Sequence, residues 1–132
     1  MILADTSVWI SHLRRGEQRL EAELEEAEVW VHPFIIGELA CGNLKNRGAV
    51  LSLLQALPTA PVLSQEELLY FIEQKSLMGS GLGFVDVHLL ASAKLKGIPI
   101  WTFDTALERA ASKLKISYSQ PGRAKTRQAR PG

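Results

Sequence analysis

The chain has 132 residues, 46% hydrophobic and 22% charged, the balance of one ordinary globular domain that buries a core without metal or disulfide staples. A single cysteine, Cys41, excludes a disulfide framework and suits a reducing cytoplasm. The formal net charge of +1 is uneven: residues 120–132 carry Arg123, Lys125, Arg127 and Arg130 without an acid, which leaves eleven basic against fourteen acidic residues in 1–119.

The expected organisation is one domain over 1–119 and a basic, disordered tail over 120–132, rich in Gly and Pro and suited to a polyanion or to solubility alone. The longest uncharged run, 48–65, is broken by Pro58, Pro61 and polar residues and does not read as a membrane span. The opening MILADTSVWISHL has neither a basic start nor a small-residue cleavage site, so no signal peptide is expected.

In chain order, Ile2, Leu3 and Ala4 form an apolar run stopped by Asp5, which reads as a buried strand. Thr6 or Ser7 suits the cap of a short helix through Leu13, ended by Arg14, Arg15 and Gly16. Residues 17–28 hold six glutamates with Leu20 and Leu24 four apart, an amphipathic and mostly solvated helix. A strand over 29–31 follows, then a helix opened by Pro33 and running to Leu44, and another over 47–57 closed by Pro58. Val62 and Leu63 suggest a third strand, and Ser64 with Glu67 has the spacing of a capping box. After a loop marked by Gly79, Gly81 and Gly83 comes a helix over 84–96 ended by Gly97. A strand over 98–103, a helix opened by Asp104 and a fifth strand over 116–118 complete the pass. Apolar strands separated by helices indicate an α/β domain with a parallel sheet.

The acids outside the glutamate-rich helix carry the chemistry. Asp5, Asp86 and Asp104 are the only aspartates, and each is the only charged residue in its neighbourhood: 1–13, 76–93 and 97–107. Glu38 stands alone in the same way across 29–44. A carboxylate among Ile, Phe and Leu loses hydration at a cost of several kcal/mol unless something compensates. Two readings stand for each acid. Taken singly, Asp5 and Asp104 are helix N-caps, Asp86 is a first-turn acid, and Glu38 faces solvent. Taken together, acids at the carboxyl ends of parallel strands share the edge where such sheets bind ligands, and helix N-termini face that edge too. Four carboxylates gathered there require a cation. Oxygen-only ligation selects Mg²⁺, with Mn²⁺ as substitute, because Cys41, His12, His32 and His88 have no zinc spacing.

The opening MILADTSVWISHL, the GELACG of 37–42, the GLGFVDVHLLASAKLKG of 81–97 and the IPIWTFDTAL of 98–107 together resemble the PIN-domain ribonucleases, in particular VapC-type toxins of type II toxin–antitoxin systems. The resemblance covers nearly all of 1–118. It implies a three-layer α/β fold with a central, mostly parallel sheet flanked by helices. It also implies an acidic pocket of Asp5, Glu38, Asp86 and Asp104, with Asp5, Asp86 and Asp104 as the principal Mg²⁺ ligands and Glu38 completing the cluster. Thr6 and Ser7 match the hydroxyl residues after the first acid and would position metal waters. The implied function is endonucleolytic hydrolysis of RNA phosphodiesters by a cytoplasmic toxin that forms homodimers and is inhibited by a cognate antitoxin. Some relatives carry an additional acid near the third or fourth; Val87, His88, Thr105 and Ala106 supply none.

The alternative is a catalytically inactive PIN-like module that binds RNA or protein, although degeneration would be expected to lose a carboxylate and none is missing. A dehalogenase-type phosphatase needs an acid where Ser7 stands. Arg14, Arg15, Lys45 and Arg47 are candidate RNA contacts, with solvated surface charge as the bland reading. Trp9, Trp30 and Trp101 sit in apolar elements and read as core, His88 as a packed residue turned away from Asp86, and Cys41 as a small packed residue.

Overall fold

The computed structural model describes residues 1–118, and the basic segment expected to be disordered, 120–132, lies outside the described residues. The elements are β1 (Ile2–Ala4), α1 (Thr6–Arg15), α2 (Gln18–Glu25), β2 (Val29–Trp30), α3 (Pro33–Ala40), α4 (Arg47–Ala56), α5 (Gln65–Lys75), α6 (Phe84–Lys96), β3 (Ile100–Trp101) and α7 (Thr105–Lys113). The strands make one parallel sheet in the order β2–β1–β3, with Leu3 opposite both Trp30 and Ile100 and Ala4 opposite Trp101. Placing the first strand in the centre means that β1 is buried along its whole length, as its unbroken apolar sequence requires.

The strand expected over 116–118 shrinks to a single parallel bridge, Ile100 with Ser117, and at the other edge Val31 makes a parallel bridge with Thr59. The strand expected at Val62 and Leu63 does not form. Pairing at that edge ends where the Ala60 N–H donates to the Val31 carbonyl at 2.8 Å, because Pro61 has no N–H to carry a ladder onward. At the other edge the Ile100 N–H donates to the Ile116 carbonyl and the Tyr118 N–H to the Ile100 carbonyl.

The helices begin where their caps allow. Asp5, rather than Thr6 or Ser7, is the N-cap of α1. Ser64 and Glu67 form the expected capping box on α5, and Gly97 closes α6 with a φ of 75°. The glutamate-rich helix stops early, as Ala27 turns into the left-handed region at a φ of 57°. α3 also stops short of Leu44: the Arg47 guanidinium donates to the Ala40 carbonyl at 2.6 Å and the Gly42 carbonyl at 3.3 Å, satisfying the orphan end of the helix. Cys41 is the C-cap there and is exposed, not packed.

One core joins the sheet to both helical layers: Val8 and Trp9 of α1, Ile35 and Leu39 of α3, Leu54 of α4, Leu89, Leu90 and Ala93 of α6, and Leu107 and Ala111 of α7 are all buried in it. A smaller cluster sets Leu68 of α5 against Val87 and Ala91 of α6. Among the described residues no helix is long and apolar enough to cross a membrane.

Candidate active site at the carboxyl edge of the sheet

Because β1 and β3 are parallel and adjacent, the residues that follow them emerge on one edge. Asp5 is 5% exposed there, and every bond it makes ties the edge together. Its Oδ1 accepts from the Ser7 N–H at 3.0 Å and the Ser7 hydroxyl at 2.5 Å, and its Oδ2 accepts from the Thr102 hydroxyl at 2.7 Å. Each hydroxyl in turn accepts a backbone N–H from the loop after β3: Phe103 donates to Ser7 Oγ and Asp104 to Thr102 Oγ1, both at 2.9 Å. Two hydroxyl relays therefore hold the loop that carries Asp104 against the two oxygens of Asp5. Sequence reasoning found Ser7 and missed Thr102; only the spacing of a hydroxyl two residues before the fourth acid hinted at it.

Asp104 caps α7 by accepting from the Leu107 N–H at 2.9 Å and is otherwise exposed. Asp86 stands in the first turn of α6, where its Oδ2 accepts a long 3.4 Å bond from the Gly83 N–H. Three aspartates thus sit at three helix N-termini, so capping and the gathering of carboxylates are one arrangement. Glu38, exposed in mid-α3, is brought to the same edge by the Thr6 hydroxyl, which donates to its Oε1 at 2.6 Å.

The electrostatics record that gathering. Burial raises the Asp5 carboxyl above the usual carboxylate range, opposed by its hydrogen bonds from Ser7 and Thr102. Asp86 is raised first by burial and then by the charges of Asp104, Asp5 and Glu38, with the Gly83 bond opposing. One carboxylate therefore feels the other three. The donor set is oxygen only, the chemistry that a hard divalent cation takes. Among the described residues no three acidic, imidazole or thiol side chains form a ready-made metal cage, so the four carboxylates are a loose set around the edge.

The basic residues divide. Arg14 and Lys45 line a groove with Glu38, Ile10, Leu13 and Val50 that opens beside the carboxylates. Arg15 is tethered through Nε to the Ser11 hydroxyl at 3.1 Å and lies 4.0 Å from Glu17. Arg47 is spent on the end of α3.

Behind the acids lies a neutral polar cluster. His32, fully buried, caps α3 by accepting the Phe34 N–H on Nδ1 at 3.0 Å, which leaves Nε2 to donate to Ser92 of α6 at 3.1 Å. Burial and the neighbouring His88 lower His32 to about 4. His88 is packed edge-on between Phe34 and Phe84, with centroids 4.7 and 4.6 Å away, in line with a packed role. Trp9 and Trp101 are core as expected, while Trp30 is half-buried under Lys96.

Comparison with known proteins agrees with this layout. The PIN domain family profile matches residues 2–113. Ribonuclease VapC32 of Mycobacterium tuberculosis, in strains CDC 1551 / Oshkosh and ATCC 25618 / H37Rv, is 42% identical over 121 residues, covering 91% of this chain and 98% of that relative. Among solved structures, PAE2754 from Pyrobaculum aerophilum aligns with a TM-score of 0.59 at 12% identity over 86% of this chain and 94% of its own. A chain of FitAB bound to an IR36 DNA fragment aligns with a TM-score of 0.60 at 20% identity over 92% and 95%. These two likenesses carry the fold alone. With the profile spanning most of its length and a relative matched nearly end to end, the chain belongs to the PIN-domain family, in its VapC-type group.

Proposed function

We propose that the protein is a divalent-metal-dependent endoribonuclease, the cytoplasmic toxin of a type II toxin–antitoxin pair, and that it works as a homodimer. The observation that carries this reading is the gathering of Asp5, Asp86, Asp104 and Glu38 at one sheet edge, where Asp86 is raised first by burial and then by the charges of the other three. Like charges in a desolvated setting are costly without a cation. Asp5, Asp86 and Asp104 would hold Mg²⁺, with Mn²⁺ as substitute, and Glu38 completes the set. When bound, the ion supplies a water nucleophile at neutral pH and charge stabilisation for a phosphodiester.

The chain's own residues do the rest. Ser7 and Thr102 fix the two oxygens of Asp5, so this carboxylate presents its remaining lone pairs in one orientation. Thr6 does the same for Glu38, and both Thr6 and Ser7 stand where they would steer water at the edge. Arg14, Arg15 and Lys45 would bind RNA phosphates outside the carboxylates, and the basic segment 120–132 would add charge toward the same polyanion. Arg47 would act there only by giving up its helix-end bonds. The groove between α1, α3 and α4, with Ile10, Leu13 and Leu39 against Arg14 and Lys45, suits the antitoxin: an apolar strip for a helix beside an acidic pocket that a basic side chain would fill. The VapC32 relative, a ribonuclease by name, supports the activity.

The test is incubation of the antitoxin-free protein with purified tRNA and ribosomal RNA, in Mg²⁺ or in excess EDTA, with Asp86→Asn alongside. Discrete fragments that need both the metal and Asp86 are expected. Retention of RNA without any cut would favour the inactive binding module instead.

A further inference from the structure

The last described stretch of chain leaves the fold at the same edge as the carboxylates. Ser117 pairs in parallel with Ile100: the Ile100 N–H donates to the Ile116 carbonyl at 2.7 Å, and the Tyr118 N–H to the Ile100 carbonyl at 2.8 Å. Residues 116–118 therefore run beside β3 in its own direction, and Tyr118 stands level with Trp101, three residues before Asp104. The direction of exit is fixed. The Tyr118 hydroxyl accepts from Arg19 Nε at 2.9 Å and donates to Glu23 at 2.8 Å, and its ring packs on Trp101 with centroids 5.6 Å apart. Residues 119–132 follow this clasp, with Arg123, Lys125, Arg127 and Arg130 and no acid. Asp104 follows the neighbouring strand, about 5 Å away, and Asp5 the next, about 10 Å away. The chain from Tyr118 to Arg123 spans up to about 17 Å when extended, so all four cations can reach the edge.

We propose that segment 119–132 is the occupant of this edge in the free protein: its cations lie against Asp104, Asp86 and Glu38 and compete there with the divalent metal until RNA draws them off. Two acidic surfaces lie within reach, and they differ in what a cation gains. On α2, Glu17, Glu23 and Glu28 already have cationic partners, and Glu21, Glu25 and Glu26 are exposed, where water and salt screen an ion pair to almost nothing. At the edge, none of the four carboxylates has a cationic partner among the described residues. Asp5 and Asp86 are also desolvated, and Asp86 feels the other three charges, so a cation gains more from each contact there. The tether keeps the cations at an effective concentration of roughly millimolar. RNA offers a longer row of phosphates than four carboxylates, so the substrate recruits the same cations and clears the edge for the metal. The inference rests on the reading of the edge as a cation site.

The experiment treats the full chain with a zero-length carbodiimide, which joins an amine to a carboxylate only where they touch; Lys125 is the one lysine in 119–132. Without metal, peptide mass spectrometry is expected to find Lys125 joined to Asp104, Asp86 or Glu38. Excess Mn²⁺, or a single-stranded RNA oligomer, should suppress that link. Calorimetric titration with Mn²⁺ gives the second readout. The full-length variant carrying Arg123→Gln, Lys125→Gln, Arg127→Gln and Arg130→Gln should bind Mn²⁺ about fivefold more tightly at low salt, as expected if the segment covers the edge about four-fifths of the time. Arg123→Lys, Arg127→Lys and Arg130→Lys together should bind like the wild type, and about 0.5 M salt should close the gap. Circular dichroism checks that each variant folds. Links to Glu21, Glu25 or Glu26 instead would place the segment on α2, and no link at all would leave the edge open; either overturns the proposal. So does a Mn²⁺ affinity equal in all three proteins, and if the glutamine variant then binds RNA more weakly, the segment is an RNA arm alone. A link to the edge in a protein that binds no Mn²⁺ would instead keep the docked segment and remove the metal reading.

Discussion

Two polar clusters flank α3 and α6, and they solve burial in opposite ways. At the carboxyl edge of the sheet, Asp5 and Asp86 are pushed upward by desolvation, and Asp86 further by its neighbours' charges. In the interior, His32 and Ser92 bury a single neutral hydrogen bond between the same two helices. The second arrangement satisfies its donors and stabilises the fold; the first holds like charges together against their repulsion and lowers stability at neutral pH. Strain of that kind is expected where a site is organised for a ligand rather than for the fold.

The largest effect should come from breaking the charged cluster. Asp86→Asn removes a charge at nearly constant shape, and cleavage should fall by roughly a thousandfold, the several kcal/mol that a metal centre supplies. Thermal melting at pH 7 should hold or rise, because a carboxyl raised above its unfolded value of 3.8 destabilises the fold once ionised. That gain should vanish in acid, where the carboxyl is protonated in both states. An unchanged cleavage rate would remove Asp86 from the proposed site.

The neutral cluster should respond to pH with the opposite sign. The His32 value in the fold, about 4, lies below its ordinary 6.5. The unfolded chain therefore takes up the proton first, and stability present above pH 6.5 is lost as pH falls through about 4. The loss from His32 is on the order of 3 kcal/mol, read from denaturant midpoints across that window. His32→Asn should flatten the dependence there, and a curve that keeps its slope would place the titrating group elsewhere.

Ser92→Ala leaves the Nε2 donor of His32 buried without a partner, at a cost of about 1–3 kcal/mol, with catalysis on the folded protein unchanged. Thr102→Val sharpens the contrast from the charged side. It takes a donor from Asp5 and an acceptor from the Asp104 N–H, so stability should fall by about 1–3 kcal/mol and cleavage by roughly tenfold or more. Equal stability losses with activity reduced only in Thr102→Val would separate positioning from packing.

The four acids were legible in the chain because hydrophobic stretches made each stand out, and a parallel α/β fold put strand ends on one edge. Capping and the gathering of carboxylates are a single arrangement: Asp5 and Asp104 cap α1 and α7 while sharing that edge. What stayed hidden was whatever depends on register between distant segments. The 62–63 strand failed because Pro61 ends a pairing that local β-propensity cannot sense. Arg47 reads as a surface cation until the end of α3 is seen to need its donors.

Periodicity, capping residues and misplaced charge are local signals, and they sufficed for the succession of helices, the sheet's parallel character and the identity of the isolated carboxylates. Which hydroxyls hold Asp5, that His32 meets Ser92, and that Phe103 and Arg14 line one cleft emerge from the folded arrangement alone. A hydroxyl, an imidazole or an aromatic ring is chemically ambiguous alone. Its partner is fixed by the register of β1 against β3 and the packing of α3 against α6, across sixty residues for His32 and Ser92 and ninety-seven for Asp5 and Thr102.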